Sequence, residues 1–248
     1  MKIIAVYAIK GGVGKTATAV NLAYYCARQG LRTLIWDLDA QGASTYYFRI
    51  KPKLKGGSKN LLALKHDLDD LIKGTDFDGL DLLPADFSIR HFDLLLDDKK
   101  KPTQRLRKLL QPMQEHYDVV FLDCPPGLSL LSEAVLNAAH YVLSPIIPTI
   151  LSLRTLEQLK TFIQDQQLNQ LRLLPFFSMV DRRKKSHIAA MQNFAELHED
   201  LLTATIPYAS DIERMSIERM PLAGFVRKSR STEDYLKLWE EVLRTIQS

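Results

Sequence analysis

The chain has 248 residues, 46% of them hydrophobic and 25% charged, a composition that excludes collagen-like and intrinsically disordered chains and suits one large domain over residues 1–248. Its 33 basic and 29 acidic residues leave a net charge of +4, which permits contact with a polyanion without requiring it. No apolar run reaches the ~18 residues needed to span a bilayer and the first is too short for a signal peptide, so the expectation is a protein that stays in the cytoplasm where it is made.

Short apolar runs alternate with longer stretches of helical periodicity, the pattern of a parallel sheet wound by crossover helices. In chain order the sequence predicts a strand over 3–7, a helix over 15–29, a strand over 33–37, a helix over 61–72 and a strand over 80–83. There follow a helix over 103–116, a strand over 119–122, a helix over 130–139, a strand over 141–147 and a helix over 153–164. The last third reads as a strand over 173–179, a helix over 186–199, a strand over 204–206 and a closing helix over 232–246. Several strands are continuously apolar, as strands covered on both faces are, so the expected class is α/β with a mostly parallel twisted sheet between helices. Residues 49–60, with several lysines and Gly56-Gly57, read as a mobile loop, and 97–102 as a solvated turn. Cys26 and Cys124 lie far apart without metal-ligand spacing and read as buried, reduced thiols.

Gly11, Gly12, Val13, Gly14, Lys15 and Thr16 follow the first strand directly and open the first helix. That is the context of a phosphate-binding loop. The glycines let successive backbone N–H groups turn toward phosphates, and the helix N-terminus adds favourable partial charge. Lys15 would pair with the β- and γ-phosphates of a nucleotide and Thr16 would offer its hydroxyl to Mg²⁺. The general pattern G-x-x-x-x-G-K-[ST] requires a glycine at position 9, where this chain has Ile9 followed by Lys10, so the match is to a variant loop.

Asp37 and Asp39 stand at the end of the second strand, where side chains face a ligand at the carboxyl edge of the sheet. Two residues apart, both carboxylates could point at one metal ion and one water, although strand-end aspartates also cap the turn that follows. Val119-Val120-Phe121-Leu122-Asp123 is an apolar strand ending in an acid, the arrangement that holds Mg²⁺ through water. All three features predict the same edge of one sheet.

The string Lys10-Gly11-Gly12-Val13-Gly14-Lys15-Thr16 resembles the deviant Walker A motif of the ParA/MinD ATPases, and the resemblance covers most of the chain. It implies a P-loop NTPase fold, with ATP held by Lys10 through Ala17, and a slow, partner-stimulated ATPase. It also implies that Lys10 reaches the nucleotide of a partner subunit in an ATP-bound homodimer. The segment Asp37-Leu38-Asp39-Ala40-Gln41-Gly42 is similar to the family's D-x-D-P-Q-G, which assigns Asp39 to positioning the attacking water and places Asp37, with Thr16 and Asp123, around Mg²⁺; Ala40 replaces the usual proline. Lys10, Lys15 and Asp39 are thus the expected catalytic residues.

By the same resemblance Ile206-Pro207-Tyr208-Ala209 is the loop around adenine, with backbone contacts from Pro207 and Ala209. Arg183 matches a DNA-contacting arginine of partition members, with Lys184, Lys185, Arg214 and Arg219 as further DNA candidates, while the family's second basic position falls on Asp211. Such contacts would be to phosphates of nonspecific DNA and would associate the protein with the nucleoid. The closing helix carries Tyr235, Leu236, Trp239, Val242, Leu243 and Ile246 in one stripe, read as a core face, so no stable membrane insertion is expected. The implied function is to position or segregate a cargo such as a plasmid, a chromosome region or a protein assembly, through an adaptor that stimulates hydrolysis. A MinD-like or regulatory ATP switch acting without DNA, and a P-loop metabolic ligase, are the alternatives. An iron–sulfur reductase would need cysteines at a dimer interface.

Overall fold

The computed structural model describes residues 1–63, 68–195, 198 and 200–247. Strands β1 (Lys2–Val6), β2 (Thr33–Asp37), β3 (Lys73–Gly74), β4 (Leu80–Leu83), β5 (Val119–Asp123), β6 (Tyr141–Ile146) and β7 (Arg172–Phe177) form one sheet in the order β3-β4-β2-β5-β1-β6-β7. Every pairing is parallel except that of the two-residue edge strand β3 with β4. The expected α/β class is therefore observed.

The helices are α1 (Lys15–Arg28), α2 (Ala43–Tyr47), α3 (Gly57–Leu62), α4 (Phe92–Asp97), α5 (Arg105–Leu110), α6 (Leu130–Ala138) and α7 (Ile150–Asp165). They continue as α8 (Lys185–Ala195), α9 (Ser210–Glu213), α10 (Met215–Glu218), α11 (Leu222–Phe225) and α12 (Arg230–Gln247). Alternation along the strands supplies two cores. Ile3, Ala5 and Tyr7 of the first strand and its extension face a cluster with Leu96, Leu106, Leu110, Leu131 and Val135, whereas Ile4 and Val6 face one with α1 and α12. A smaller cluster joins Ile146, Leu156, Phe177 and Phe194 under α7 and α8.

The differences from expectation have local causes. The helix predicted over 103–116 is broken into a 3₁₀ turn at Pro102–Gln104, α5, and a second 3₁₀ stretch at Gln111–Glu115, because Pro112 lacks the N–H that would continue the helix. The helix predicted over 61–72 ends at Leu62, and Leu68–Asp70 is 3₁₀; residues 64–67 of that prediction lie outside the described residues, as do 196, 197 and 199 of the helix predicted over 186–199. The strand predicted over 204–206 is instead irregular chain running beside β7, which forms a single parallel bridge between Val180 and Pro207, since Pro207 has no N–H to extend a ladder. Helix α7 begins three residues earlier than predicted because Thr149 caps it, accepting from the Ser152 N–H. Segments as short as α2, α4, α9, α10 and α11 show too little periodicity to be read from sequence.

The closing helix does pack inward, but Leu238 completes its buried face with Tyr235, Trp239, Val242 and Ile246, while Leu236 and Leu243 are only partly buried. The segment expected to be a mobile loop is anchored: Leu54 is buried and its N–H donates to Asp86 at 2.9 Å. Among the described residues no helix is long and apolar enough to cross a membrane. Both cysteines are free and buried, as expected.

Candidate active site at the carboxyl edge of the sheet

Strand register brings the three motifs together. Val6, the last residue of β1, and Asp37, the last of β2, both pair with Asp123 at the end of β5. The loop after β1 therefore leaves the sheet beside two buried carboxylates.

Gly12 and Gly14 take φ values of +70° and +90°, a left-handed conformation that costs little only without a β-carbon. Gly14, at the N-terminus of α1, has no side chain to cap it, and among the described residues the amides of Lys15 to Ala17 donate to no partner, so they are open to an anion as helix N-termini are. A β-carbon on Gly14 would stand 3.0 Å from the Ser178 hydroxyl. Gly11 and Gly12 are exposed, whereas Val13 and Lys15 are buried. The Lys15 ammonium folds onto the Lys10 carbonyl at 3.2 Å. Burial lowers the pKa of Lys15, and Asp123, Cys124 and Asp39 oppose that shift.

Asp123 is fully buried; Thr16 Oγ1 donates to its Oδ1 at 3.3 Å and Ser44 Oγ to its Oδ2 at 2.6 Å. Asp37, also fully buried, accepts from the Thr45 N–H and the Thr45 hydroxyl, each at 2.8 Å, and from the Asp39 N–H at 3.2 Å. Burial raises both carboxyls above the ordinary range; repulsion by Asp37 adds to the shift of Asp123, while at Asp37 the hydrogen bonds from Thr45 and Asp39 oppose it and the Asp39 charge adds to it. Two such groups side by side create a demand for a cation. An ion such as Mg²⁺, which keeps water and phosphate oxygens in its sphere, needs only a few protein carboxylates of this kind.

Asp39 stands near enough to Asp37 and Asp123 for its charge to raise both their pKa values. It lies beyond the strand end, partly exposed, and its Oδ1 caps the Gln41 N–H at 2.9 Å, leaving Oδ2 without a protein partner among the described residues. Lys10 turns its ammonium to the Ser152 hydroxyl at 3.3 Å, at the first turn of α7. A cation at a helix N-terminus sits at the unfavourable end of the dipole, so this resting contact is weak.

The remaining residues assemble around the same loop or away from it. Ser178, which faces Gly14, is two residues from Val180, and Val180 pairs with Ile206 and Tyr208 through backbone bonds of 3.0 and 3.1 Å. That sets Pro207 beside Val180, in the segment that follows Ser178. Arg183, Lys184 and Lys185 are exposed at the start of α8; Arg183 pairs with Asp181 at 2.9 Å and holds that carboxyl down to about 2. Arg214 pairs with Glu218 at 2.9 Å, and Arg219 lies over the Tyr46 ring and donates to the Tyr46 carbonyl at 3.2 Å. Asp211 accepts from Ser229 and Ser231 hydroxyls at 2.8 Å each, tying α9 to the start of α12.

Sequence reading overlooked Ser44, Thr45, Ser152 and Ser178. The signal for the first two was present: Gly42, with φ +65°, followed by Ser and Thr at the mouth of a helix. At five residues α2 was too short to announce itself.

The family model described as an AAA domain matches residues 1–174. The chain is 32% identical to the ParA family protein of Chlamydia muridarum, with 98% of each chain covered. It is 31% identical to the sporulation initiation inhibitor protein Soj of Bacillus subtilis, with 97% of this chain and 98% of the relative covered. Among solved structures, cobyrinic acid a,c-diamide synthase of Mycobacterium smegmatis, with bound ATP analogue and magnesium, superposes with a TM-score of 0.85 at 27% identity, covering 100% of this chain and 96% of that one. With its phosphate loop, paired strand-end acids and full-length relatives, the chain belongs to the ParA family of P-loop ATPases.

Proposed function

We propose that the protein is an ATP-driven switch that dimerises over two nucleotides, binds nonspecific DNA and positions a cargo through an adaptor that stimulates hydrolysis. The observation that carries the reading is the surface around the phosphate loop. Leu128, Ile150 and Leu151 are 49%, 84% and 67% exposed; Leu128 follows Gly127, whose N–H donates to the Ile9 carbonyl, and Ile150 and Leu151 precede Ser152, on which Lys10 rests. Large apolar side chains presented together beside a ligand site mark a surface that becomes covered.

ATP and Mg²⁺ are the cofactors this arrangement fits. The open amides of α1 and Lys15 would hold the phosphates, while Thr16 and Asp123 would face the metal from one side and Asp37 would add charge behind it. Mg²⁺, when bound, would neutralise charge on the β- and γ-phosphates. Asp39, with one oxygen anchoring its own turn and the other unoccupied by protein, would orient the water that converts ATP to ADP and phosphate. Lys10 would leave Ser152 and cross to the nucleotide of the partner. Pro207 and Ala209 would border the base. Exposed Arg183, Lys184 and Lys185, together with Arg214 and Arg219, would contact DNA phosphates, so that binding weakens steeply with salt.

Light scattering with ATP and Mg²⁺ tests the reading. The wild type should shift from monomer to dimer, Asp39→Ala should remain dimeric after the wild type has returned to monomer, and Lys10→Ala and the combined change Ile150→Ser, Leu151→Ser should stay monomeric with unaltered melting. Dimerisation of those last two variants at wild-type ATP concentrations would overturn it. Arg183→Glu with Lys184→Glu should cut binding to random duplex DNA at least tenfold at moderate salt; undiminished binding would remove the DNA arm.

A further inference from the structure

A second concentration of positive charge lies on the far side of the molecule from Arg183. Lys51, Lys53, Lys55 and Lys73 line one cavity of about 390 Å³ together with Asp70 and an apolar floor at Leu71. Four cations against one carboxylate give +3 in a single cleft of a chain whose net charge is +4. The four lysines are exposed and, among the described residues, form no ion pair. Like charges gathered without partners repel one another, and a bound anion relieves that cost.

The backbone that carries them is preorganised. A three-residue turn at Pro52 closes through Lys53 N–H to Lys51 C=O at 2.9 Å. Pro52 packs toward Gly42, 3.6 Å from where a β-carbon there would stand, and Leu54 is buried and held by Asp86. Lys53 also lies near enough to Asp86 to help depress its pKa, but the Asp86 oxygens are already engaged by Leu54 and Ser88. Lys73 comes from the edge strand β3 and closes the other wall. A lysine ammonium is a compact donor suited to phosphate oxygens.

We propose that this cleft is a phosphate-binding site separate from the phosphate loop, taking successive phosphate groups from a nucleic-acid backbone or from a free polyphosphate. The DNA arm rests on the reading that the chain binds DNA; the polyphosphate arm does not.

The experiment uses the full chain saturated with a non-hydrolysable ATP analogue and Mg²⁺, so that the phosphate loop is filled and the chain is in the state proposed to bind DNA. Random duplex DNA and inorganic tripolyphosphate are titrated into the wild type, into Lys51→Gln with Lys53→Gln, Lys55→Gln and Lys73→Gln, and into a control with Lys99→Gln, Lys100→Gln and Lys101→Gln. The proposal expects the cleft variant to lose at least tenfold in affinity for one ligand or both, with the control close to wild type and melting unchanged in each. In the DNA arm, where each lysine contacts one phosphate, the slope of log K against log salt should become shallower by about 3–4. Loss confined to DNA assigns the backbone as the source, and loss confined to tripolyphosphate assigns a free ligand. Wild-type affinity of the cleft variant for both ligands, equal loss in the control, or no binding of either ligand by the wild type would overturn the proposal. DNA binding that fails in the Arg183 variant but persists in the cleft variant, with tripolyphosphate unaffected, overturns the cleft and spares the DNA reading. The reverse holds if the wild type ignores DNA and the cleft variant alone loses tripolyphosphate.

Discussion

The Ser44 hydroxyl donates to Asp123 Oδ2 across 2.6 Å, and both residues are fully buried. The first turn of α2 is thereby fastened to the end of β5, and the neighbouring Thr45 fastens the same turn to Asp37 while accepting from the Ala85 N–H at 2.8 Å. Ser44→Ala removes the donor and leaves a buried carboxylate oxygen unpaired, which costs roughly 1–3 kcal/mol. Urea unfolding should show that loss, and Ser44→Thr should recover part of it.

The pair Asp37 and Asp123 predicts a pH dependence with a definite sign. Both carboxyls have pKa values raised by burial and repulsion, so the folded state holds protons more tightly than the unfolded chain. Their contribution to stability therefore becomes less favourable as pH rises above the ordinary carboxylate range. In protein free of Mg²⁺, Asp37→Asn should gain on the wild type by about 1 kcal/mol or more between pH 5.5 and pH 8, since one pKa unit corresponds to ~1.4 kcal/mol. Melting curves at the two pH values check this, and Mg²⁺ should narrow the difference at pH 8.

Gly14 combines a positive φ with a crowded approach to Ser178. Gly14→Ala should cost ~1–2 kcal/mol from the backbone conformation alone, with an added steric part. Combining it with Ser178→Gly should recover only the steric part, as a double-mutant cycle in unfolding would show.

The orientation of α12 can be measured directly. Leu238 is fully buried whereas Leu236 is only partly so. Leu238→Ala should destabilise by about 2–5 kcal/mol and Leu236→Ala by much less. Equal losses in chemical denaturation would mean that the helix is rotated from the position described.

Much of the site was legible in the sequence because its parts are local. The glycine spacing from Gly11 to Gly14, a lysine and a threonine at the mouth of a helix, and acids at the ends of apolar strands each state their chemistry within a few residues. Lys15, Thr16, Asp37 and Asp123 do meet at one edge. The role of Asp211 was not legible, since nothing adjacent to it foretells Ser229 and Ser231 as partners.

The sequence by itself determined the alternation of strands and helices, the phosphate loop and the identity of the acids beside it, because hydrophobic periodicity and loop chemistry act over short stretches of chain. Only the tertiary structure decided which carboxylates are buried together, that Asp39 caps the Gln41 N–H, that Lys10 rests on Ser152, and that four lysines from the 51–55 turn and from β3 surround one cleft. Those relationships depend on strand order and on close approach between residues far apart in the chain, and burial, hydrogen-bond partnership and charge density exist only once the chain has folded.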